Sequence, residues 1–160
     1  MDIATLAKLV DMFYIGGTKN GALIGEAIVI VNPQLKENFR FYLRQRGALL
    51  AKARAVTVQF LELFKDTLYF ENAKHANEMA QKLAKGIKGC GYNLSVESPT
   101  NQVFPIFPNP IMEKLQANYG FHFWSKVDNN NSVVRLVTSW ATPETAVEEF
   151  INNLKTLSEK

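Results

Sequence analysis

The segment Tyr14-Ile15-Gly16-Gly17-Thr18-Lys19-Asn20-Gly21 constrains this chain more than any other. It sets one lysine among three glycines, with apolar, strand-like runs on either side. Glycine has no Cβ, so the backbone can turn tightly there and a neighbour or ligand can approach closely. Local physics supports two readings. Asn20-Gly21 between apolar runs is the strongest short-range signal for a β-hairpin. A lysine at such a tip can instead be a nucleophile, because burial or a cationic neighbour favours the neutral amine that condenses with an aldehyde, although local physics alone favours the hairpin.

At 160 residues and 47% hydrophobic content, the chain is long and apolar enough to bury a real core. A net charge of +3 permits an anionic ligand without requiring nucleic acid. No apolar run approaches the ~20 residues that cross a bilayer, and the N-terminus lacks a basic-then-apolar signal pattern. Cytoplasmic residence is the expectation. Cys90, in the turn-like Lys88-Gly89-Cys90-Gly91, is the one cysteine and reads as structural. His75 and His122 fall in different elements, so no metal-ligand cluster is expected.

Residues 2–10 read as a short helix, and Met12–Ile15 and Ala22–Val31 as strands. Ala27-Ile28-Val29-Ile30-Val31 is apolar throughout, as a strand covered on both faces would be. Asn32-Pro33 marks a helix start, with Asn32 as N-cap and Pro33 at the first helical position. One long helical stretch is predicted beyond it, punctuated by Gly47 and carrying Leu35, Phe39, Leu43, Leu50, Ala53, Val56 and Phe60 at near-helical spacing. A second helix is predicted from about Phe64 to Gly89. The remainder alternates between the two types. Strands are predicted at 93–97 and 102–107, the latter weakened by Pro105. A helix over 110–119, a strand over 121–127, a polar turn over 128–132 and a strand over 133–139 follow. Thr142-Pro143-Glu144 opens the last helix.

Arg135 lies within Val133-Val134-Arg135-Leu136-Val137. Period two sets it on the face of Val133 and Val137, opposite Val134 and Leu136. It is either a solvated arginine on an exposed face or a guanidinium poised for a carboxylate. Lys52 and Arg54 end a basic stretch that includes Arg40, Arg44 and Arg46, a pattern typical of a solvated helix face. Phe39, Phe41 and Tyr42 interleave with these charges, as on a nucleic-acid surface, though helical packing explains them as well. Thr18 can donate to a phosphate oxygen or cap the turn. Trp124 and Trp140 read as packing residues, and Glu148-Glu149 as solvated.

Asp11-Met12-Phe13-Tyr14-Ile15-Gly16-Gly17-Thr18-Lys19-Asn20-Gly21, continued by Gly25-Glu26-Ala27, resembles the cofactor-lysine segment of the threonine aldolase and beta-eliminating lyase family. The likeness extends through Lys52-Ala53-Arg54 and His75-Ala76-Asn77 to Arg135-Leu136-Val137-Thr138-Ser139-Trp140, and so covers essentially the whole chain. The lysine motif is fairly specific, and the later segments corroborate it.

The resemblance implies an α/β fold: the C-terminal part of a pyridoxal-phosphate (PLP) enzyme of the aspartate aminotransferase-like type. Two strands of the large-domain sheet, long linking helices and a small α/β lobe would make it up. Residues 1–60 would close the cofactor-binding domain, and residues 61–160 would form the small one. By the same resemblance Lys19 would carry pyridoxal phosphate, with Thr18, Lys52 and Arg54 near its phosphate, and Arg135 would hold the substrate's α-carboxylate. The implied reaction cleaves the Cα–Cβ bond of a β-hydroxy-α-amino acid to glycine and an aldehyde. Beta-elimination would use the same lysine, and a non-catalytic assembly remnant would retain Lys19 without the cofactor. Family members are much longer and carry their lysine past the midpoint, so a C-terminal portion is expected. In so short a chain the two strands would lack their sheet neighbours and present edges. Expected partners are an amino-acid substrate and either further copies, as in the family's tetramers, or a complementing N-terminal half; neither nucleic acid nor membrane is expected.

Overall fold

Ala76, Met79, Ala80, Leu83, Ala84 and Ile87 recur at three- and four-residue spacing, which lines them along one helix face. In the computed structural model, which describes residues 2–158, these six are the buried residues of α4 (Leu68–Gly89). Phe64 does not begin this helix but caps the preceding one. Positive φ at Asp66 and Thr67, 51° and 72°, interrupts the chain before Leu68. A β-branched threonine there is a genuine outlier that no helix accommodates. The chain divides into two compact units between Tyr69 and Phe70.

In the second unit the apolar face of α4 meets an antiparallel sheet. Its strands are β3 (Gln102–Val103), β4 (Ile106–Pro108), β5 (His122–Lys126) and β6 (Asn131–Val137), with α5 (Asn109–Gln116) between β4 and β5. β6 is central: β3 and β4 pair successive stretches of it, and β5 pairs it as well. The strand expected over 102–107 is split because Pro105 has no N–H to donate. The strand expected over 93–97 reduces to a single bridge between Leu94 and Pro105. Asp128 Oδ1 accepts from Asn130 N and Asn131 N at 2.6 and 2.8 Å, which closes the polar turn into β6.

α6 (Glu144–Ser158) completes the core with Val147, Phe150 and Leu154, which join Phe107, Val134 and Leu136 in one buried cluster. Thr142 does not cap it; its hydroxyl accepts from Ser139 N at 2.9 Å, and the helix begins at Glu144. Glu148 is likewise not merely solvated. Glu144 and Glu148 stand four residues apart on one helix side, and Lys82 of α4 reaches both at 2.5 Å. The hydrogen bond from Lys82 holds the Glu144 carboxyl below the usual carboxylate range. Cys90 Sγ lies 3.9 Å from the Ile151 carbonyl oxygen, in keeping with a structural role.

The first unit begins with α1 (Ile3–Ala7) and the antiparallel pair β1 (Met12–Gly16) and β2 (Glu26–Ile30), registered from Met12 opposite Ile30 to Gly16 opposite Glu26. One face of this ribbon is half-buried through Phe13, Ile15, Ala27 and Val29, while Met12, Tyr14 and Ile28 are exposed. The strand expected to be covered on both faces is therefore covered on one, among the described residues. Asn32 does cap as expected, accepting from Gln34 N at 3.0 Å with Pro33 behind it, but the turn it starts is short. The long helix expected here is broken instead. Positive φ at Asn38 (56°) and Gly47 (69°) separates that turn, α2 (Phe39–Gln45) and α3 (Arg54–Leu63). Of the residues at near-helical spacing, Phe39, Leu43, Ala53, Val56 and Phe60 are half-buried, whereas Leu35 and Leu50 are exposed. No helix among the described residues is long and apolar enough to cross a membrane.

α4 and α6 approach closely at Gly86, where a Cβ would lie 2.3 Å from Ile151 Cδ1 and 2.5 Å from Cγ1. Alanine is favoured over glycine in a helix by about 1 kcal/mol, but overpacking costs about 1–3 kcal/mol. Gly86→Ala should therefore destabilise the chain in urea denaturation. The same change in an Ile151→Ala background should be neutral or stabilising, because the obstructing side chain is gone.

Candidate functional site

Residues 17–25 separate β1 from β2, so the two-residue Asn20-Gly21 hairpin does not form. A single 3-10 turn over Thr18–Asn20 takes its place, ended by Gly21 at φ 109°. Asn20 N and Ala22 N both donate to the Gly17 carbonyl, at 2.9 and 3.0 Å, which pulls the loop back onto itself. Gly17 and Asn20 turn inward and are buried, while Thr18 and Lys19 between them are exposed. The turn thus anchors its two ends and displays the lysine.

α3 packs directly on this loop. A Cβ at Gly17 would lie 2.8 Å from the Phe60 ring and 2.7 Å from Ala22 Cβ, so only glycine lets the helix come this close. Gln59, on the same helix, accepts from Leu23 N through Oε1 at 2.7 Å. The Tyr69 hydroxyl fixes the other side, donating to the Gly16 carbonyl at 2.9 Å and meeting the Asn20 side chain. Its ring stacks on Phe64 at 4.7 Å. Burial holds the Tyr69 phenol above its ordinary value, opposed in part by the hydrogen bond with Asn20.

Lys52 and Arg54 stand where α3 begins, both exposed, Lys52 in the turn before it and Arg54 in its first position. The helix that carries Arg54 is therefore the one that supports the lysine loop through Gln59 and Phe60. Thr18, Lys19, Lys52 and Arg54 all belong to the first unit. Arg135 belongs to the second. It is half-buried on the face of β6 opposite the core residues Val134 and Leu136, as its period-two position requires. Its Cζ lies 5.3 Å from the centroid of the Trp124 ring. Its Nε is buried and has no hydrogen-bond partner among the described residues. Trp124 is thus not a core-packing residue: it is 54% exposed and faces a cation. His75 binds the Thr142 carbonyl oxygen through Nε2 at 2.8 Å. Tyr69, Gln59 and Trp124 carry no signal in sequence, since each acts on a segment distant along the chain or through an irregularity of pairing.

A low specificity L-threonine aldolase of a Pseudomonas species is 32% identical over 147 residues, which is 91% of this chain and 42% of the relative. The solved threonine aldolase of Leishmania major is 41% identical and matches with a TM-score of 0.94, over 99% of this chain and 46% of that one. The chain is similar to part of each of these threonine aldolases. It spans less than half the length of these aldolase relatives. A serine palmitoyltransferase of Sphingomonas wittichii, at 15% identity and a TM-score of 0.72 over 98% of this chain and 41% of that one, shares the fold. That fold is the aspartate aminotransferase-like one expected above. No protein-family model matches the chain.

The lysine loop should respond to pH through Tyr69. A raised phenol favours the folded state in its neutral form, so its contribution is complete below the unfolded tyrosine's ~10. It declines as pH climbs from there through the folded value. Tyr69→Phe should lower stability by about 1 kcal/mol near neutral pH. In chemical denaturation at a series of pH values, the gap between the variant and the original chain should narrow above about pH 10.

Proposed function

We propose that this chain carries the cofactor-linking lysine and the carboxylate-anchoring arginine of a pyridoxal-phosphate lyase of the threonine aldolase type. The observation that carries the reading is Lys19, an exposed amine on a turn whose two ends are tied down by α3 and Tyr69. A turn fixed on both sides holds a reactive group in place better than a free loop does.

The donor set suits such a cofactor. Lys19 offers a primary amine to an aldehyde. The Thr18 hydroxyl beside it, and the cations of Lys52 and Arg54, suit a phosphate. Arg135 offers a guanidinium whose buried Nε awaits an acceptor; a planar fork of donors matches a carboxylate. In this reading Lys19 Nζ is the attachment point, and Thr18, Lys52 and Arg54 neutralise the phosphate. Arg135 holds the α-carboxylate of a β-hydroxy-α-amino acid and so orients the Cα–Cβ bond that breaks. When bound, pyridoxal phosphate supplies an electron sink for the carbon left behind. Residues 1–60 then serve as the end of the cofactor-binding domain and residues 61–160 as the small domain. The partners of this reading are a complementing N-terminal portion or further copies in a homo-oligomer.

Borohydride reduction tests the assignment. The chain, supplemented with the N-terminal portion of a threonine aldolase relative and with pyridoxal phosphate, should retain the label on Lys19 in peptide mass spectrometry. Lys19→Ala should lose both that label and the cleavage of L-threonine to glycine. A label on a different lysine, or none, overturns the reading.

A further inference from the structure

On the face of the second unit's sheet opposite its core, β5 and β6 set an aromatic ring against a cation. Arg135 pairs across the ladder with His122 and Val134 with Phe123, after which the register slips so that Val133 meets Ser125. Trp124 is left as the extra residue of a β-bulge. Bulges re-aim side chains and recur beside functional sites. Here the indole takes up the guanidinium at 5.3 Å, inside the range of cation–π attraction. Phe104 backs the indole at 5.2 Å with the rings inclined at 63°. At 54% exposure Trp124 contributes little to the core, yet it is held from behind and faces a charge.

The consequence falls on Arg135. Its Nε has no hydrogen-bond partner among the described residues although the atom is buried. A buried donor left unmade is costly, more so on a charged group. A ligand acceptor that reached this edge would relieve that cost.

We propose that Trp124 is a positioning residue for carboxylate recognition by Arg135. The ring holds the guanidinium plane in one orientation, so that Nε and one terminal nitrogen present the paired N–H groups a carboxylate accepts. Trp124 acts through Arg135 and not on the reacting atoms. This rests on the carboxylate role proposed for Arg135, and adds to it the group that pre-arranges the fork.

The Arg135 Nε–H signal in the nuclear magnetic resonance spectrum of the nitrogen-labelled chain, assigned through Arg135→Lys, gives a readout independent of cofactor and turnover. Titration with L-threonine, and with acetate as the bare carboxylate, should shift this signal. Trp124→Ala should weaken both ligands by roughly fivefold. Trp124→Leu, which keeps apolar bulk but no π face, should weaken them similarly, and Trp124→Phe should restore most of the affinity. Affinities in Trp124→Leu equal to those of the original chain, with the Arg135 signal still responding, would overturn the positioning role and leave the carboxylate role standing. An Arg135 signal that responds to neither ligand in the original chain would overturn the carboxylate role, and the positioning role with it.

Discussion

Pairing around β6 is the constraint from which the second unit follows. A strand held in register on both sides must alternate its side chains, so whatever sends Val134 and Leu136 into the core sends Arg135 out of it. A one-residue slip would bury the guanidinium and expose the core residues together. The burial of Phe107, Leu115, Phe150 and Leu154 against the same strand opposes that slip. The hydrophobic effect thus does two things at once: it assembles the unit and it fixes where the candidate ligand-binding cation stands.

The first unit solves a different problem with different means. A lysine on a loop is ordinarily mobile, and among the described residues the hydrophobic core cluster lies in the second unit. Backbone contact replaces it. Gly17 lets the Phe60 ring come where a Cβ would otherwise be, Gln59 takes the Leu23 N–H, and Tyr69 takes the Gly16 carbonyl. Each holds backbone, and the side chains of Thr18 and Lys19 stay exposed. On the ribbon's other face the apolar residues Met12, Tyr14 and Ile28 are exposed.

Much of this was legible without coordinates where the signal was local. The face of α4 could be read from spacing alone, as could the Asp128 turn, the Asn32 cap and the weakening of a strand at Pro105. What was misread involved breaks that a smooth periodicity hides. Positive φ at Asn38, Gly47, Asp66 and Thr67 divides helices that the apolar pattern carries straight through. The Asn20-Gly21 pair signalled a tight hairpin, but the loop gains more from docking on α3 than from closing in two residues. Glu148 looked solvated because its partner, Lys82, is on another helix.

The sequence by itself determined the motif around Lys19, the face on which Arg135 would stand and the likeness to the aldolases, because residue identity and period are properties of neighbours along the chain. Only the tertiary structure decided what surrounds those two side chains. The support of the lysine turn by Gln59, Phe60 and Tyr69, and the ring of Trp124 against Arg135, join residues from separate elements. Such contacts depend on how closely helices and strands pack and on where a ladder slips, and no local rule encodes either.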